Sequence, residues 1–273
     1  MRVLNKAVQI VDLLAASPQG LRLKEVADSL VFDKATALRI LRALEGLDLI
    51  RRDPQGRFFI GNRILWWEAY QRQNLDFLTL VRPTLDRLRE LTSETATFSV
   101  TISDRMVVVD QAMSFHVTSS RFGLGSTTPL TLGASGRVML AHMDRKVREK
   151  FLKEAASTDS KLPGIQKRKR LEMELDQCQK RGVAVTRGER DPNTTSIAAP
   201  ILGAAGEVLG VISVNGPSER LGSSRVKEIA PVLIDELARL TAQLDQVSIK
   251  ASLSPRKKLL KTPDLKGFGY KVA

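Results

Sequence analysis

The stretch from Leu23 to Ile60 constrains this chain more than any other. Apolar residues fall at Leu23, Val26, Ala27 and Leu30, then at Ala37, Ile40, Leu41, Leu44 and Leu47. Each set occupies one helical face. Three residues, Val31-Phe32-Asp33, separate the two helices, a usual length for a helix-turn-helix joint. Asp33 suits the N-cap of the second helix. Opposite the apolar stripe lie Lys34, Ala35, Leu38, Arg39 and Arg42. A face that is small at one point and cationic at others suits a DNA major groove. Leu49–Arg52 and Arg57–Ile60 read as short strands, and Asp53-Pro54-Gln55-Gly56 between them is turn chemistry. Helix, turn, helix and a hairpin with arginines at its base make a winged helix-turn-helix. An ordinary helical domain with solvated charges shares parts of this pattern, but not order, spacing and wing together. Arg39 is expected to read or clamp a base, and Lys34, Thr36 and Arg57 to meet phosphates.

Around this motif the pattern continues. Asn5 to Ala16 reads as a helix packing behind the pair, and Asn62 to Asn74 as another, holding Trp66 and Trp67. That helix is apolar on more than one face, so it is expected to touch something beyond the winged domain. Leu75 to Thr92 is amphipathic. Then the period drops to two: Thr97 to Ile102 alternates, and a β-branched run from Arg105 to Asp110 follows a turn at Asp104. Val117 to Phe122 reads as a third strand. Helices are expected over Gly133–His142, Lys146–Glu154 and Ile165–Arg181, strands over Val183–Thr186, Thr194–Leu202 and Val208–Asn215, and a last helix over Arg225–Gln246. Helices flanking a sheet of five or six largely antiparallel strands make an α+β sensor domain.

Composition excludes several alternatives. No apolar run approaches the ~20 residues of a membrane span, and the N-terminus has no signal-peptide pattern, so a cytoplasmic protein is expected. The one cysteine, Cys178, allows no internal disulfide and reads as a helix residue rather than a reactive thiol. His116 and His142 have no ligand-spaced companions, so no metal is expected, nor any other cofactor. Gly123-Leu124-Gly125-Ser126 lacks the remaining marks of a phosphate loop, and Ser135 sits in no nucleophile elbow. No catalytic residue is assigned; the alternative, a hydrolase or transferase with a vestigial helix-turn-helix, lacks a nucleophile, base and orienting acid in one neighbourhood. The net charge of +13 is uneven. Residues 250–273 carry seven Lys/Arg against one Asp/Glu, so nearly half the excess sits in the last stretch. The case for DNA therefore rests on the motif rather than on the pI.

The chain resembles the IclR-type bacterial transcriptional regulators from about Val3 to about Leu244. The marks are the helix-turn-helix with Lys34, Thr36 and Arg39; Thr128-Pro129-Leu130-Thr131-Leu132-Gly133-Ala134-Ser135-Gly136-Arg137 and its continuation to Ala141; and Ile197-Ala198-Ala199-Pro200-Ile201 followed by Gly206 to Pro217. It departs where the family often has Gly and Ser, at Val31 and Ala35. The basic stretch 250–273, with Pro255, Pro263, Gly267 and Gly269 among many lysines and little to bury, reads from its composition as a disordered tail and is not a feature of the family. The resemblance implies an α+β chain with three other parts: an N-terminal winged helix-turn-helix (1–61), a linker and dimerisation helix (62–74) and a C-terminal GAF-like α/β effector-binding domain (75–249). It implies a ligand-responsive regulator, expected to be a repressor, that binds double-stranded operator DNA as a homodimer or dimer of dimers. The effector is expected to bias the spacing of paired recognition helices, about 34 Å on one DNA face.

Carried over residue by residue, the resemblance places the effector on Ala134 and Ser135, Thr186, Thr194 and Ser196, and Ser213 and Asn215. Part of this stands alone: Ser213 and Asn215 share a strand face, and a helix start at Gly133 favours an anion. The lining reads as neutral and hydroxyl-rich, which suits a small polar molecule. Thr186 stands where some relatives carry an acid, which favours an organic acid, aromatic acids included, over an amine. Arg187 and Arg190 are candidates to pair with its carboxylate.

Overall fold

The computed structural model describes residues 2–74, 76–116, 123–157 and 164–253. The chain divides into two compact units, Met1–Leu75 and Asp76–Ala273.

The first unit is built from α1 (Arg2–Ala15), β1 (Leu21–Arg22), α2 (Leu23–Leu30), α3 (Lys34–Gly46), β2 (Ile50–Arg52), β3 (Arg57–Ile60) and α4 (Arg63–Asn74). Its core joins Ile10 and Leu14 of α1, Val26 of α2, Ile40 and Leu41 of α3, and Phe58 of β3. Val26, Ile40 and Leu41 lie on the faces that the helical period puts inward. On α1, whose apolar face reads as Leu4, Ala7, Val8, Val11 and Leu14, the structure buries Ile10 with Leu14 and leaves Leu4 and Val8 exposed. The wing is a three-stranded antiparallel sheet in the order β1-β3-β2. Its outer strand β1 is only two residues long, too short to show alternation. Asp33 caps α3: its side chain accepts the Thr36 N–H at 2.7 Å. The Thr36 hydroxyl and N–H favour the charged carboxyl and hold it below its usual range.

Val31 ends α2 in the left-handed region, φ 55° and ψ 46°. The Phe32 N–H reaches back to the Ala27 carbonyl at 2.9 Å, the bond that closes a Schellman turn. The joint thus keeps the geometry that glycine serves, with a β-branched residue in its place. Val31 is 91% exposed, so packing does not compensate the strain. A left-handed conformation costs an L-residue roughly 1–2 kcal/mol, and glycine's extra backbone entropy takes back ~0.5–1 kcal/mol. Val31→Gly is therefore expected to raise stability by up to about 1 kcal/mol. The urea midpoint for this unit should move upward, and a downward shift would contradict the strain.

The second unit comprises α5 (Asp76–Thr92), β4 (Thr95–Ile102), β5 (Arg105–Ala112), β6 (Thr127–Pro129), α6 (Gly133–His142), α7 (Arg145–Ser157), α8 (Gly164–Arg181), β7 (Ala184–Arg187), β8 (Thr194–Leu202), β9 (Val208–Pro217) and α9 (Ser223–Leu253). Its six strands run in the order β6-β5-β4-β9-β8-β7, every neighbouring pair antiparallel. Alternation gives the sheet two different faces. One carries Phe98, Ile197, Ile201, Ile212 and Val214 against Leu85 and Leu88 of α5 and Leu233 and Leu237 of α9. The other presents Ala198 and Val211 to Val138 of α6, Phe151 of α7 and Leu175 of α8. The result is an α/β/α layering with the sheet in the middle.

The strand expected over Val117–Phe122 lies outside the described residues; the strand beside β5 is Thr127–Pro129. Helix α9 runs on to Leu253, beyond the expected end at Gln246, because Val247–Leu253 contains neither Pro nor Gly to stop it. The rest of the expected tail, 254–273, lies outside the described residues.

Candidate functional site

On α3, Ala37, Leu41 and Leu44 are buried, while Ala35, Arg39 and Arg42 lie on the opposite side and are exposed. Lys34 is exposed at the helix start, and Thr36 and Leu38 are half-buried at the margin. The Thr36 N–H is already given to Asp33, so only its hydroxyl side remains for another partner. Arg57, expected at a phosphate, is half-buried. Its Nη1 donates to the Gly20 carbonyl at 3.0 Å and lies 3.5 Å from a Glu25 carboxylate oxygen, fastening the wing to the start of α2. Arg51 and Arg52 of the wing are exposed, and their guanidinium groups lie over the rings of Phe59 and Phe58 at 4.5 and 5.3 Å. They are consecutive on β2 and so point to opposite faces of the wing, Arg51 paired with Phe59 and Arg52 with Phe58.

In the second unit, all seven residues assigned to the effector line one cavity: Ala134, Ser135, Thr186, Thr194, Ser196, Ser213 and Asn215. The sheet register explains why. Asn215 pairs with Ser196 and Ser196 with Thr186, forming one rung across three strands. Ser213 pairs with Thr97 in the next rung. Side chains on paired residues share a face, and this face is the one that α6 covers. Thr97 and Ser99 of β4 and Thr128 of β6 complete the hydroxyl lining. Sequence reasoning missed them: alternation put Thr97 and Ser99 on one face, but nothing local showed which face meets the cavity.

The floor is a hydrogen-bonded cluster. Thr97 Oγ1 and Ser213 Oγ lie 2.8 Å apart, and Asn215 Nδ2 donates to both, at 3.1 and 3.0 Å. Asn215 Nδ2 also approaches the Ser213 carbonyl at 3.3 Å. Free volume in the cavity is about 30 Å³, room for little more than a water.

The wall is not neutral, which corrects the sequence reading. Loop 188–193, between β7 and β8, folds over the start of α6 and brings Glu189, Arg190 and Asp191 to the cavity. Gly133, with φ +81°, begins α6, and Arg190 packs on it: a Cβ there would lie 3.4 Å from Arg190 Cδ. Burial lowers the proton affinity of the Arg190 guanidinium. Arg187 is exposed, one residue out of phase with Thr186. Glu189 Oε2 accepts the Gly133 N–H at 2.9 Å and Arg137 Nη1 at 2.7 Å. Arg137 Nε donates to Glu174 of α8 at 2.6 Å. Burial pushes the Glu174 carboxyl up, but Arg137 and Arg170 outweigh it and hold the group below its usual range. Cys178 is buried on α8, and desolvation pushes its thiol up to about 11, away from the reactive thiolate. Among the described residues no group of His, Cys, Asp or Glu is placed to hold a metal ion.

Both halves of the chain have counterparts. The model of the IclR helix-turn-helix domain matches residues 3–54, and that of the bacterial transcriptional regulator IclR C-terminal domain matches residues 70–241. This chain belongs to the IclR family. It is 30% identical over 248 residues to the HTH-type transcriptional regulator BhcR of Paracoccus denitrificans, covering 88% of this chain and 86% of that one. It is 25% identical over 261 residues to the HTH-type transcriptional repressor AllR of Salmonella typhimurium, covering 93% and 91%. The fold matches the IclR regulator of Alicyclobacillus acidocaldarius, with TM-score 0.76 at 23% identity over 89% of this chain and 98% of that one. It also matches an IclR homolog from Microbacterium hydrocarbonoxydans complexed with 4-hydroxybenzoate, with TM-score 0.73 at 19% identity over 89% and 99%. Family membership makes the chain a transcriptional regulator rather than an enzyme, with a helix-turn-helix domain of the family's kind for DNA. No helix among the described residues is long and apolar enough to cross a membrane.

Proposed function

We propose that this IclR-family regulator is a cytoplasmic repressor whose operator binding is modulated by an organic acid held in the cavity beneath α6. The cavity carries the reading: seven residues from four separate segments converge on it, beside a helix start and over a floor of hydrogen-bonding groups. The relatives named as repressors support the sign of the response, and the 4-hydroxybenzoate complex of the Microbacterium homolog supports an acid, aromatic acids included. Effector binding shifts operator affinity only by its differential affinity for the two states. The parts assigned to these tasks are 1–61 for DNA, 62–74 for linkage and dimerisation, 75–249 for the effector and 250–273 for non-specific attraction to DNA.

The first unit also supports assembly as a homodimer or dimer of dimers. Leu4 and Val8 of α1 and Trp67 of α4 stay exposed around an apolar groove of about 580 Å³. A second copy covers such a surface more readily than water does, and paired recognition helices match a palindromic operator.

Two measurements test the proposal. Arg39→Ala should weaken binding to the operator by ~1–3 kcal/mol through loss of a bidentate base contact. In gel shifts at fixed salt, unchanged affinity with an intact fold would remove Arg39 from the interface. For the cavity, organic acids that release DNA should raise the melting temperature of the wild type more than that of Ser196→Ala and Ser213→Ala. Equal binding to all three proteins would place the effector elsewhere.

A further inference from the structure

The clasp between Glu189 and α6 has a shape that the cavity's remaining lining does not explain. Glu189 Oε2 takes the first N–H of α6 and one Arg137 nitrogen, while Oε1 receives Arg137 Nη2 at 2.7 Å. A helix-terminal amide and a two-pronged guanidinium are the donors that a free carboxylate seeks. Here the chain supplies the carboxylate itself. We propose that Glu189 is an internal occupant of the effector's anion position, and that an effector carboxylate binds by exchanging with it at the Gly133 N–H and Arg137. This rests on the cavity being the effector site.

Three features support exchange over a permanent pin. First, the donors do not depend on Glu189 for their position. Arg137 is buried, and its Nε is held separately by Glu174, which belongs to α8. Second, the departing group sits on the exposed partner. Glu189 belongs to loop 188–193, whose Pro192 and Asn193 face solvent, and its side chain retains 24% exposure. Gly188, with φ +65°, opens that loop, and its N–H bonds the Thr194 carbonyl at 2.9 Å, closing the loop at its base. The loop can therefore turn outward without breaking β7 or β8. Third, the cavity with Glu189 in place has room for little more than a water. Withdrawing this side chain frees space and donors together.

Exchange of one carboxylate for another also keeps Arg137 paired, so no buried charge is left alone. It sets a selectivity rule. Glu189 is tethered and competes at a high effective concentration. A bare carboxylate gains nothing that Glu189 lacks. An effector wins by adding bonds to the floor of Thr97, Ser213 and Asn215, so it must carry a second polar group beyond its carboxylate. Loop 188–193 then reports occupancy, closed by Glu189 or released by the effector.

The test uses acetate, a carboxylate with no second group, titrated calorimetrically into the full chain at constant ionic strength. Glu189→Gln removes the charge and keeps the shape, and Glu189→Asp keeps the charge and shortens the reach. Glutamine offers the donors only a neutral amide oxygen and aspartate falls short of them, so both weaken the internal competitor and both should bind acetate at least about 10-fold more tightly than wild type. Hydrogen exchange should show acetate protecting residues 130–137. Equal affinity in all three proteins, weaker binding in the variants, or no binding to either variant would overturn the exchange. Tighter binding in Glu189→Gln alone would also overturn it, since charge rather than occupancy would then be the cause. Protection confined to segments outside the cavity would instead refute the cavity reading itself.

Discussion

Gly136→Ala is expected to be among the most damaging single-methyl changes in this chain. Gly136 lies in the first turn of α6, where a Cβ would stand 2.2 Å from the Leu130 carbonyl oxygen and 2.8 Å from its carbon. Both atoms are backbone, so no side-chain rotation relieves the clash. Either α6 lifts from the loop before it or the loop yields. Alanine's better helix propensity returns only ~1 kcal/mol. Overpacking usually costs ~1–3 kcal/mol, and a rigid backbone obstacle places this site at the upper end. A loss of about 3 kcal/mol corresponds to a fall of roughly 6–12 °C in Tm for a unit of this size. Since α6 carries Ala134 and Ser135 at its start, effector response should fall as well. Gly222→Ala is the comparison: nothing lies within 4 Å of its added methyl, and its change should stay within about 1 kcal/mol. Equal melting of the two variants would show that α6 does not seat on the Leu130 carbonyl.

What the sequence made legible follows from the range of each signal. The faces of α2 and α3 were readable because a period of 3.6 repeats over enough residues to exclude chance. The cap at Asp33 is a contact three residues long, and the turn at Val31 is a local conformation, so both lie within reach of the sequence. Strands β1 and β6, two and three residues long, show no period at all; only pairing with β3 and β5 makes them strands. The cavity was half legible for a similar reason. Ser213 and Asn215 announce a shared face, and the α6 motif supplies Ala134 and Ser135. Thr97 joins them through a register set across 116 residues of sequence. Glu189 belongs to a loop without period, and its bond to Arg137 spans 52 residues. Charge in such a place is invisible until the loop is folded. Arg57 shows the converse. Its position in the wing suggested a phosphate contact, and nothing local showed its bond to the Gly20 carbonyl, 37 residues earlier in the chain.

Arg220→Met is expected to cost more than a surface ion pair would. Glu94, between α5 and β4, has a side chain only 4% exposed. Arg220, between β9 and α9, meets it with two prongs, Nε to Oε1 at 2.6 Å and Nη2 to Oε2 at 2.8 Å. The Glu94 carboxylate also lies over Gly216, where a Cβ would come 2.4 Å from Oε2, so the acid fills a space from which it cannot easily retreat. Methionine covers much of the same surface but donates nothing. Breaking a buried pair from one side costs ~3–5 kcal/mol, chiefly because a desolvated charge is left behind. Arg220 is a third exposed, so water reaches the pair and the lower end, about 3 kcal/mol, is expected. If the stranded charge is the cause, removing it should repair most of the damage. Glu94→Gln combined with Arg220→Met should therefore recover more than half of the loss in urea unfolding. A double variant as unstable as Arg220→Met alone would show that the arginine acts through packing at the β9–α9 corner, not through the charge of Glu94.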